Sequence, residues 1–405
     1  MPTVPRSETQ HRTNRPSRAV AARPQLMRAM NEQLMLEQVR STGPVSRTDL
    51  AKISGLSKPT VAVALANLER DGLVRFAGHR TGVRGPAAVL YEIRPEAGFV
   101  LGLDVGREYL RGALTDLSGS VRARASRRVH AASAHSRVSE MVSLADEMAT
   151  TAGIRRNRVT QVVVGSPGVY DPERGALTMA RNLPGWERPD VVHELRQVFG
   201  RTTVLENDVD LAALAERDHG HGRGVATFCF VSVGTGIGMG LVIDGRLHRG
   251  AHGAAGEIAY LPLGVAADVS ASEVRKHGQL EAMASAAAVV RSARRQGLTG
   301  SLSARRVFAA AAAGDEDAAA VVAGEAAHVA RALGSIVAIV DPEMIVLGGG
   351  IGQAPGFASA VAESLDRLAP FVPEIRVSAL GDDAVVDGCL AAGMEMAWHR
   401  VLERS

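Results

Sequence analysis

Aromatic residues make up only 3% of this 405-residue chain, so its cores must be built from Ala, Val and Leu, and a hydrophobic content of 46% is ample for large ones. Lysine is scarcer still: three residues, Lys52, Lys58 and Lys276, stand against a great many arginines. That bias, with the abundance of Ala, points to a GC-rich coding sequence and assigns no function. The net charge of +3 excludes a chain that is basic throughout, so basic character must be judged segment by segment. The two cysteines, Cys229 and Cys389, lie far apart in apolar segments. They read as buried thiols and fit a reducing cytoplasm, the expected location. No run of about 20 uninterrupted apolar residues occurs, so no membrane span is expected. The basic N-terminus lacks the apolar run of a signal peptide.

The length allows two or three domains. Residues 1–24 carry Arg6, Arg12, Arg15, Arg18 and Arg23 against one acid, Glu8, with Pro2, Pro5, Pro16 and Pro24 among them. They read as a disordered basic arm. Residues 25–95 carry a winged helix-turn-helix pattern. A helix is expected from about Gln25 to Ser41, with Met27, Met30 and Leu34 on one face. Ser46 caps a short helix, Arg47 to Ile53, with Leu50 and Ile53 turned inward. Gly55 supplies the turn. Ser57 caps the next helix, where Pro59 in the first turn costs no hydrogen bond and Val61, Ala64, Leu65 and Leu68 form the buried stripe. Leu73 to Phe76 and Val89 to Ile93 alternate as wing strands around a loop holding Arg80 and Arg84. The N-terminal end of the second helix enters the major groove in this motif. Arg47, Ser57, Lys58, Thr60, Ala62, Val63, Arg80 and Arg84 are therefore the candidate DNA contacts. Ala62 and Val63 donate no hydrogen bonds and are limited to thymine methyls. Arginines beside wing glycines suit a narrow minor groove. A solvated loop explains those two arginines equally well.

From Phe99 the texture changes. Strand, Gly-containing turn and returning strand occur twice, at Leu101 to Thr115 and at Val231 to Asp244. The duplication suggests two lobes closing on a cleft, the first over residues 96–220, completed by the helix 387–403, and the second over 221–386. Later helices are expected at about Gln279 to Gln296, Ala304 to Ala313, Asp315 to Val340 and Asp387 to Glu403. Asn207 and Asp208 stand where a buried strand gives way to a helix. Taken alone they read as an N-cap.

Seven motifs change that reading: Gly165-Ser166-Pro167-Gly168, Asn182-Leu183-Pro184-Gly185-Trp186, Glu206-Asn207-Asp208, Gly234-Thr235-Gly236-Ile237-Gly238, Gly253-Ala254-Ala255-Gly256-Glu257, Leu280-Glu281 and Leu347-Gly348-Gly349-Gly350. With them the chain resembles the ROK family (repressors, open reading frames and kinases), and within it the repressor branch. The resemblance implies an α/β protein: an N-terminal winged helix-turn-helix followed by a two-lobed actin-like, sugar-kinase-like (ribonuclease-H-like) body. It implies sugar hydroxyls held by Asn207, Asp208, Glu257 and Glu281, with Gly168 and Asn182 in the same site. In the family's kinases the residue matching Asp208 is the general base.

The departures from the family pattern decide between activities. Arg107-Glu108 follows Asp104-Val105-Gly106 where family kinases carry small residues that cradle ATP phosphates, and Met239 replaces a usual glycine. Tyr260 stands where a zinc-binding His is expected, and Ser272 to Gln279 holds none of the three expected cysteines, so no metal and no cofactor are expected. Phosphoryl transfer relies on positioning and charge around the phosphates, so a blocked phosphate turn outweighs a retained base, and Asp208 reads as vestigial. The favoured function is a sugar-responsive DNA-binding transcriptional regulator whose partners are a double-stranded operator and a sugar or sugar phosphate. A homodimer or homotetramer is expected, and no membrane. The alternative is an ATP-dependent sugar kinase retaining a DNA-binding domain. A DNA-binding scaffold with a disused cleft is disfavoured, because unneeded buried acids are costly.

Overall fold

The computed structural model describes residues 22–80, 87–180, 183–264 and 269–404. Residues 1–21 of the basic arm, Arg84 and Asn182 lie outside the described residues. The chain divides between Ala97 and Gly98 into an N-terminal unit, with which residues 400–405 are counted, and a body, Gly98–His399.

The N-terminal unit holds α1 (Ala22–Thr42), β1 (Val45–Ser46), α2 (Arg47–Ser54), α3 (Lys58–Arg70), β2 (Val74–Arg80) and β3 (Ala88–Ile93). The Ser46 hydroxyl accepts from the Asp49 N–H at 3.2 Å and caps α2, and Ser57 caps α3 through the Thr60 N–H at 3.3 Å. Val61, Ala64, Leu65 and Leu68 are the buried stripe of α3. The two-residue β1 pairs with β3, so the wing is a three-stranded antiparallel sheet in the order β1-β3-β2.

Three expectations fail in this unit. The helix α1 starts at Ala22, and Pro24 sits in its first turn, where its missing N–H costs nothing. Its buried face is Glu32, Met35, Leu36 and Val39, whereas Met27 and Met30 are exposed and Leu34 is half-buried. Both faces satisfy the three-and-four spacing, so periodicity alone could not choose between them. Ile53 is 51% exposed rather than turned inward. It lies in the last turn of α2, beside the left-handed Gly55 that ends the helix.

In the body, the first lobe contains β4 (Phe99–Val105), β5 (Tyr109–Asp116), β6 (Val121–Arg128), α4 (Ala134–Thr151), β7 (Val159–Ser166), β8 (Val169–Asp171), β9 (Ala176–Thr178), α5 (Pro189–Phe199), β10 (Val204–Asn207) and α6 (Asp208–His219). The second contains β11 (Phe228–Val233), β12 (Ile237–Ile243), β13 (Arg246–Leu247), α7 (Ala271–His277), α8 (Gln279–Met283), α9 (Ala286–Arg295), α10 (Ala304–Ala312), α11 (Glu316–Val340), β14 (Met344–Gly348), α12 (Gly349–Gly352), α13 (Phe357–Asp366) and β15 (Glu374–Val377), before α14 (Ala384–Arg404) closes the chain. The sheet orders are β6-β5-β4-β7-β10 and β13-β12-β11-β14-β15. In each, the first three strands in sequence run antiparallel and the last two run parallel to the first. One topology used twice is the ribonuclease-H-like duplication.

The single helix expected over Gln279 to Gln296 is two. Ala284 leaves helical geometry, and Ser285 caps α9 through the Ala288 N–H at 3.3 Å. Neither α7 nor α13 had been anticipated.

Leu101, Leu103, Met141, Leu144, Trp186 and Leu195 pack the first core; Val231, Val329, Leu333, Leu347, Phe357 and Val361 pack the second. By length and composition α11 is apolar enough to cross a membrane, yet Val321, Ala326, Val329 and Leu333 on it belong to the second core. The helix α6 joins the lobes. Its Leu211 and Leu214 pack with Val163 and Cys389, and its Ala212 and Ala213 with Phe228, Phe230, Val242 and Val346. This places the N-terminus of α6, with Asp208, at the junction of the lobes.

Candidate functional site

A cavity of about 520 Å³ opens in the body and is lined by residues of both lobes. Asp104, Gly168, Asn207 and Asp208 come from the first lobe, and Glu257, His277 and Glu281 from the second. Of the sugar-site residues expected from sequence, the five within the described residues share this cavity.

Asn207 ends β10 and caps α6. Its Oδ1 accepts from the N–H groups of Val209 at 2.9 Å and Asp210 at 3.1 Å, and its Nδ2 donates to the Gly168 carbonyl at 3.1 Å. One amide hydrogen is left for a ligand. The cap reading of Asn207 therefore holds, and the same bonds fix the residue in the cavity wall. Gly168 has φ +86°, and a Cβ there would lie 2.3 Å from the Thr178 carbonyl oxygen, so only glycine lets the 165–168 loop reach Asn207. Trp186 anchors that loop by donating to Ser166 Oγ at 2.8 Å from within the first core.

Asp208 begins α6 and lines the cavity, and its Oδ1 accepts from the Val209 N–H at 2.9 Å. Its pKa is raised to about 6 by desolvation, against the backbone N–H bonds that favour the ionised form. Glu257 is raised to about 7 by desolvation, then by the charges of Asp208 and Glu281. Glu281 is also raised by desolvation. Its Oε2 accepts from the Ile237 N–H at 3.2 Å and its Oε1 bonds His277 Nδ1 at 2.9 Å. Just behind the cavity, buried Asp210 is raised to about 8 by desolvation, then by Glu206. The site is thus a set of hydrogen-bonding acids at the junction of two lobes, suited to a polyhydroxylated ligand.

The cavity lining also holds an ion-pair cluster. Arg111 on β5 donates to Asp104 at 3.4 Å and to Asp382 at 3.0 Å, and lies 5.2 Å from the Tyr109 ring centroid. Asp104 is buried, and its pKa is raised to about 7 by desolvation, then by Asp208, with Arg111 opposing. Arg107 and Glu108 line the same region and are exposed. Sequence reading missed Arg111, because its partners lie 7 and 271 residues away. It also missed His277, although the i,i+4 spacing to Glu281 was visible.

The zinc implied by the family pattern does not fit the residues present. Tyr260 lies exposed on the turn after Glu257, and α7 carries no cysteine. Cys229 and Cys389 are buried in β11 and α14, and burial pushes both thiols up, Cys229 to about 12.

Among the candidate DNA contacts, Lys58 and Val63 are exposed at the start of α3, Thr60 and Ala62 are half-buried, and Ser57 Oγ lies 2.8 Å from Thr60 Oγ1. Arg47 donates to the Tyr91 hydroxyl and lies 5.1 Å from that ring's centroid. Arg80 is the last residue of β2 rather than a loop residue, and its guanidinium donates to Asp49 at 2.8 Å. Both arginines brace the unit. Only the α3 end presents an uncommitted cation, Lys58, among the described candidates.

An N-terminal winged helix and a duplicated, sugar-kinase-like body define a DNA-binding regulator built on a kinase fold. The family model described as ROK family matches residues 100–393, and one described as winged helix-turn-helix DNA-binding matches residues 31–75. The chain belongs to the ROK family. It is 26% identical to the xylose repressor of Caldicellulosiruptor bescii over 395 residues, 90% of this chain and 96% of that protein. The crystal structure of a ROK family transcriptional regulator, described as a homolog of the E. coli MLC protein, superposes with a TM-score of 0.73 at 24% identity, covering 93% of this chain and 98% of that one. That likeness speaks for the fold. The ROK hexokinase from Thermus thermophilus aligns at 30% identity with a TM-score of 0.62, over 74% of this chain and 99% of its own.

Proposed function

We propose that the chain is a sugar-responsive repressor that binds its operator through α3 and the wing, and binds a sugar or sugar derivative through Asp208, Glu257, Glu281 and Asn207 without phosphorylating it. The carrying observation is the lining of the cavity: beside the hydrogen-bonding acids stand Arg107, Glu108 and the Asp104–Arg111–Asp382 ion-pair cluster. Phosphoryl transfer needs the phosphates and their metal ions held and neutralised. Arg111, paired with both Asp104 and Asp382, competes with a metal ion for those carboxylates, and Glu108 repels phosphate. The ligand shifts operator binding only by its differential affinity for the two states of the protein, on a usual scale of about 1–3 kcal/mol. The repressor relative suggests D-xylose as the first sugar to try.

A second reading, an ATP-dependent sugar kinase retaining its DNA-binding unit, is favoured by one observation. Asp208 keeps the place of the family base with a pKa of about 6, near the operating range of a general base. Two measurements separate the readings. Operator affinity is titrated with a sugar panel, and turnover is followed in a coupled assay with MgATP. A sugar-dependent change in operator affinity without turnover supports the repressor. Turnover of about 1 s⁻¹ or faster, abolished by Asp208→Asn, would overturn the non-enzymatic reading.

A further inference from the structure

The helix α7 ends at His277, and Gly278 turns the chain directly into α8. Gly278 has φ +86°, and a Cβ there would lie 2.2 Å from the Ala259 carbonyl oxygen. The corner is therefore pressed against the turn that follows Glu257, and any other side chain would force it away. His277 is thus fixed near both second-lobe acids of the cavity. Its ring lines that cavity together with Asp208, Glu257 and Glu281, and its Nδ1 bonds Glu281 Oε1 at 2.9 Å. With Glu281 as acceptor, the hydrogen sits on Nδ1, which leaves Nε2 as the ring nitrogen for a ligand. The other Glu281 oxygen is occupied by the Ile237 N–H at 3.2 Å, so the Glu281–His277 pair is held at both ends.

We propose that His277 contacts the effector: a sugar hydroxyl bonds its Nε2 while neighbouring hydroxyls bond Glu257 and Glu281, and this contact selects among sugars by the hydroxyl they present. The proposal rests on the sugar reading of the cleft. A site built to bond one hydroxyl discriminates strongly against the analogue that lacks it, because a polar group is then left unpaired.

Calorimetry with D-xylose, D-glucose and N-acetyl-D-mannosamine on the full chain identifies the tightest sugar. Its monodeoxy derivatives are then measured on the parent and on three variants. His277→Ala is expected to weaken binding roughly three- to tenfold, and the parent to lose a similar factor on one monodeoxy derivative. His277→Ala is expected to bind that derivative and the full sugar alike. In His277→Asn the amide replaces Nδ1 and keeps the bond to Glu281, so it is expected to bind as weakly as the Ala variant. In His277→Gln the amide reaches the Nε2 position and recovers part of the affinity. A His277→Asn protein that binds like the parent would show that His277 only holds Glu281, which overturns the proposal, as does parental binding by His277→Ala. Should His277→Ala fail to fold, the Asn and Gln variants carry the comparison. A parent that binds none of the sugars sinks the sugar reading and this inference with it, whereas a binding parent with indifferent variants sinks the inference alone.

Discussion

The Arg249 guanidinium rests on the Glu206 carboxylate at 2.6 and 2.9 Å. Glu206 precedes Asn207 and Asp208 on β10; Arg249 opens the loop that ends at Glu257, and its carbonyl accepts from the Ala255 N–H at 3.1 Å. One ion pair thus ties the first-lobe ligand strand to the second-lobe ligand loop. Arg249 is 44% exposed, so the pair contributes little to stability, about 0.2–1 kcal/mol. Its consequence lies in positioning. Arg249→Met is expected to lower the melting temperature slightly and to weaken sugar binding several-fold. The charge swap Glu206→Arg with Arg249→Glu should recover part of the loss. Equal sugar affinity in the parent and Arg249→Met, measured by calorimetry, would show that the two halves of the site are set by α6 packing alone.

The buried acids make the body sensitive to pH in a direction that can be worked out. Asp208, Glu257, Asp104 and Asp210 are raised to about 6, 7, 7 and 8 in the folded protein. Below the ordinary carboxyl pKa both folded and unfolded chains hold these protons, and the full stability is present. Between pH 4 and 8 the folded state holds more protons, so stability falls as pH rises. The melting temperature should therefore drop from pH 5 to pH 8. Asp210 is 3% exposed, and its Oδ1 has no hydrogen-bond partner among the described residues. Asp210→Asn removes its charge and should stabilise the protein at pH 8 by on the order of 1–3 kcal/mol, with little effect at pH 5. A melting temperature that rises between pH 5 and 8 contradicts this account.

On the DNA side, Lys58 and Arg80 separate two roles. Lys58 is exposed at the start of α3, so Lys58→Ala is expected to weaken operator binding by roughly 1–3 kcal/mol if it reads a base, and to reduce the salt dependence if it contacts phosphate. Arg80 is tied to Asp49, whose pKa is lowered first by the Ser46 hydroxyl bond and then by Arg80. Arg80→Ala should act mainly by loosening the wing from the cap of α2, with no change in salt slope. Fluorescence anisotropy across salt concentrations distinguishes them. A salt slope lowered by Arg80→Ala and untouched by Lys58→Ala would reverse the assignment.

The local parts of this protein were readable from its sequence. Ser46, Ser57 and Asn207 announce helix starts because capping is a contact over three residues. The two strand–turn–strand units repeat because each lobe must bury the same kind of strand. What stayed hidden was long-range or degenerate. Arg111 reads as a polar residue in an apolar strand until Asp382, 271 residues on, is brought beside it. His277 stays hidden because Gly278 separates its helix α7 from α8, which holds Glu281, and only the close approach to Ala259 makes that turn a bracket for the site. Met27 and Met30 share a helical face as good as that of Met35 and Val39, and tertiary packing chose the second.

Asn207 and Asp208, adjacent in sequence, should answer mutation differently. The Asn207 side chain makes two cap bonds and one to Gly168, so Asn207→Ala removes a cap and should cost about 1 kcal/mol of stability besides any loss of sugar binding. Asp208 accepts from the Val209 N–H, which Asn207 already satisfies, so its side chain is not needed for the cap. Asp208→Ala should therefore fold and bind operator like the parent. Glu257 makes no side-chain cap bond to the turn it precedes, so Glu257→Ala should behave in the same way. Desolvation disfavours the charge of both acids, and the charge of Asp208 further raises Glu257, so removing either relieves a cost of burial. Both variants are thus expected to melt at or above the parental temperature and to lose the sugar response. Operator affinity against sugar concentration for parent and variants gives the answer. A parental response in both variants would place the sensor elsewhere, and loss of operator binding in both would mean that these acids hold the fold together.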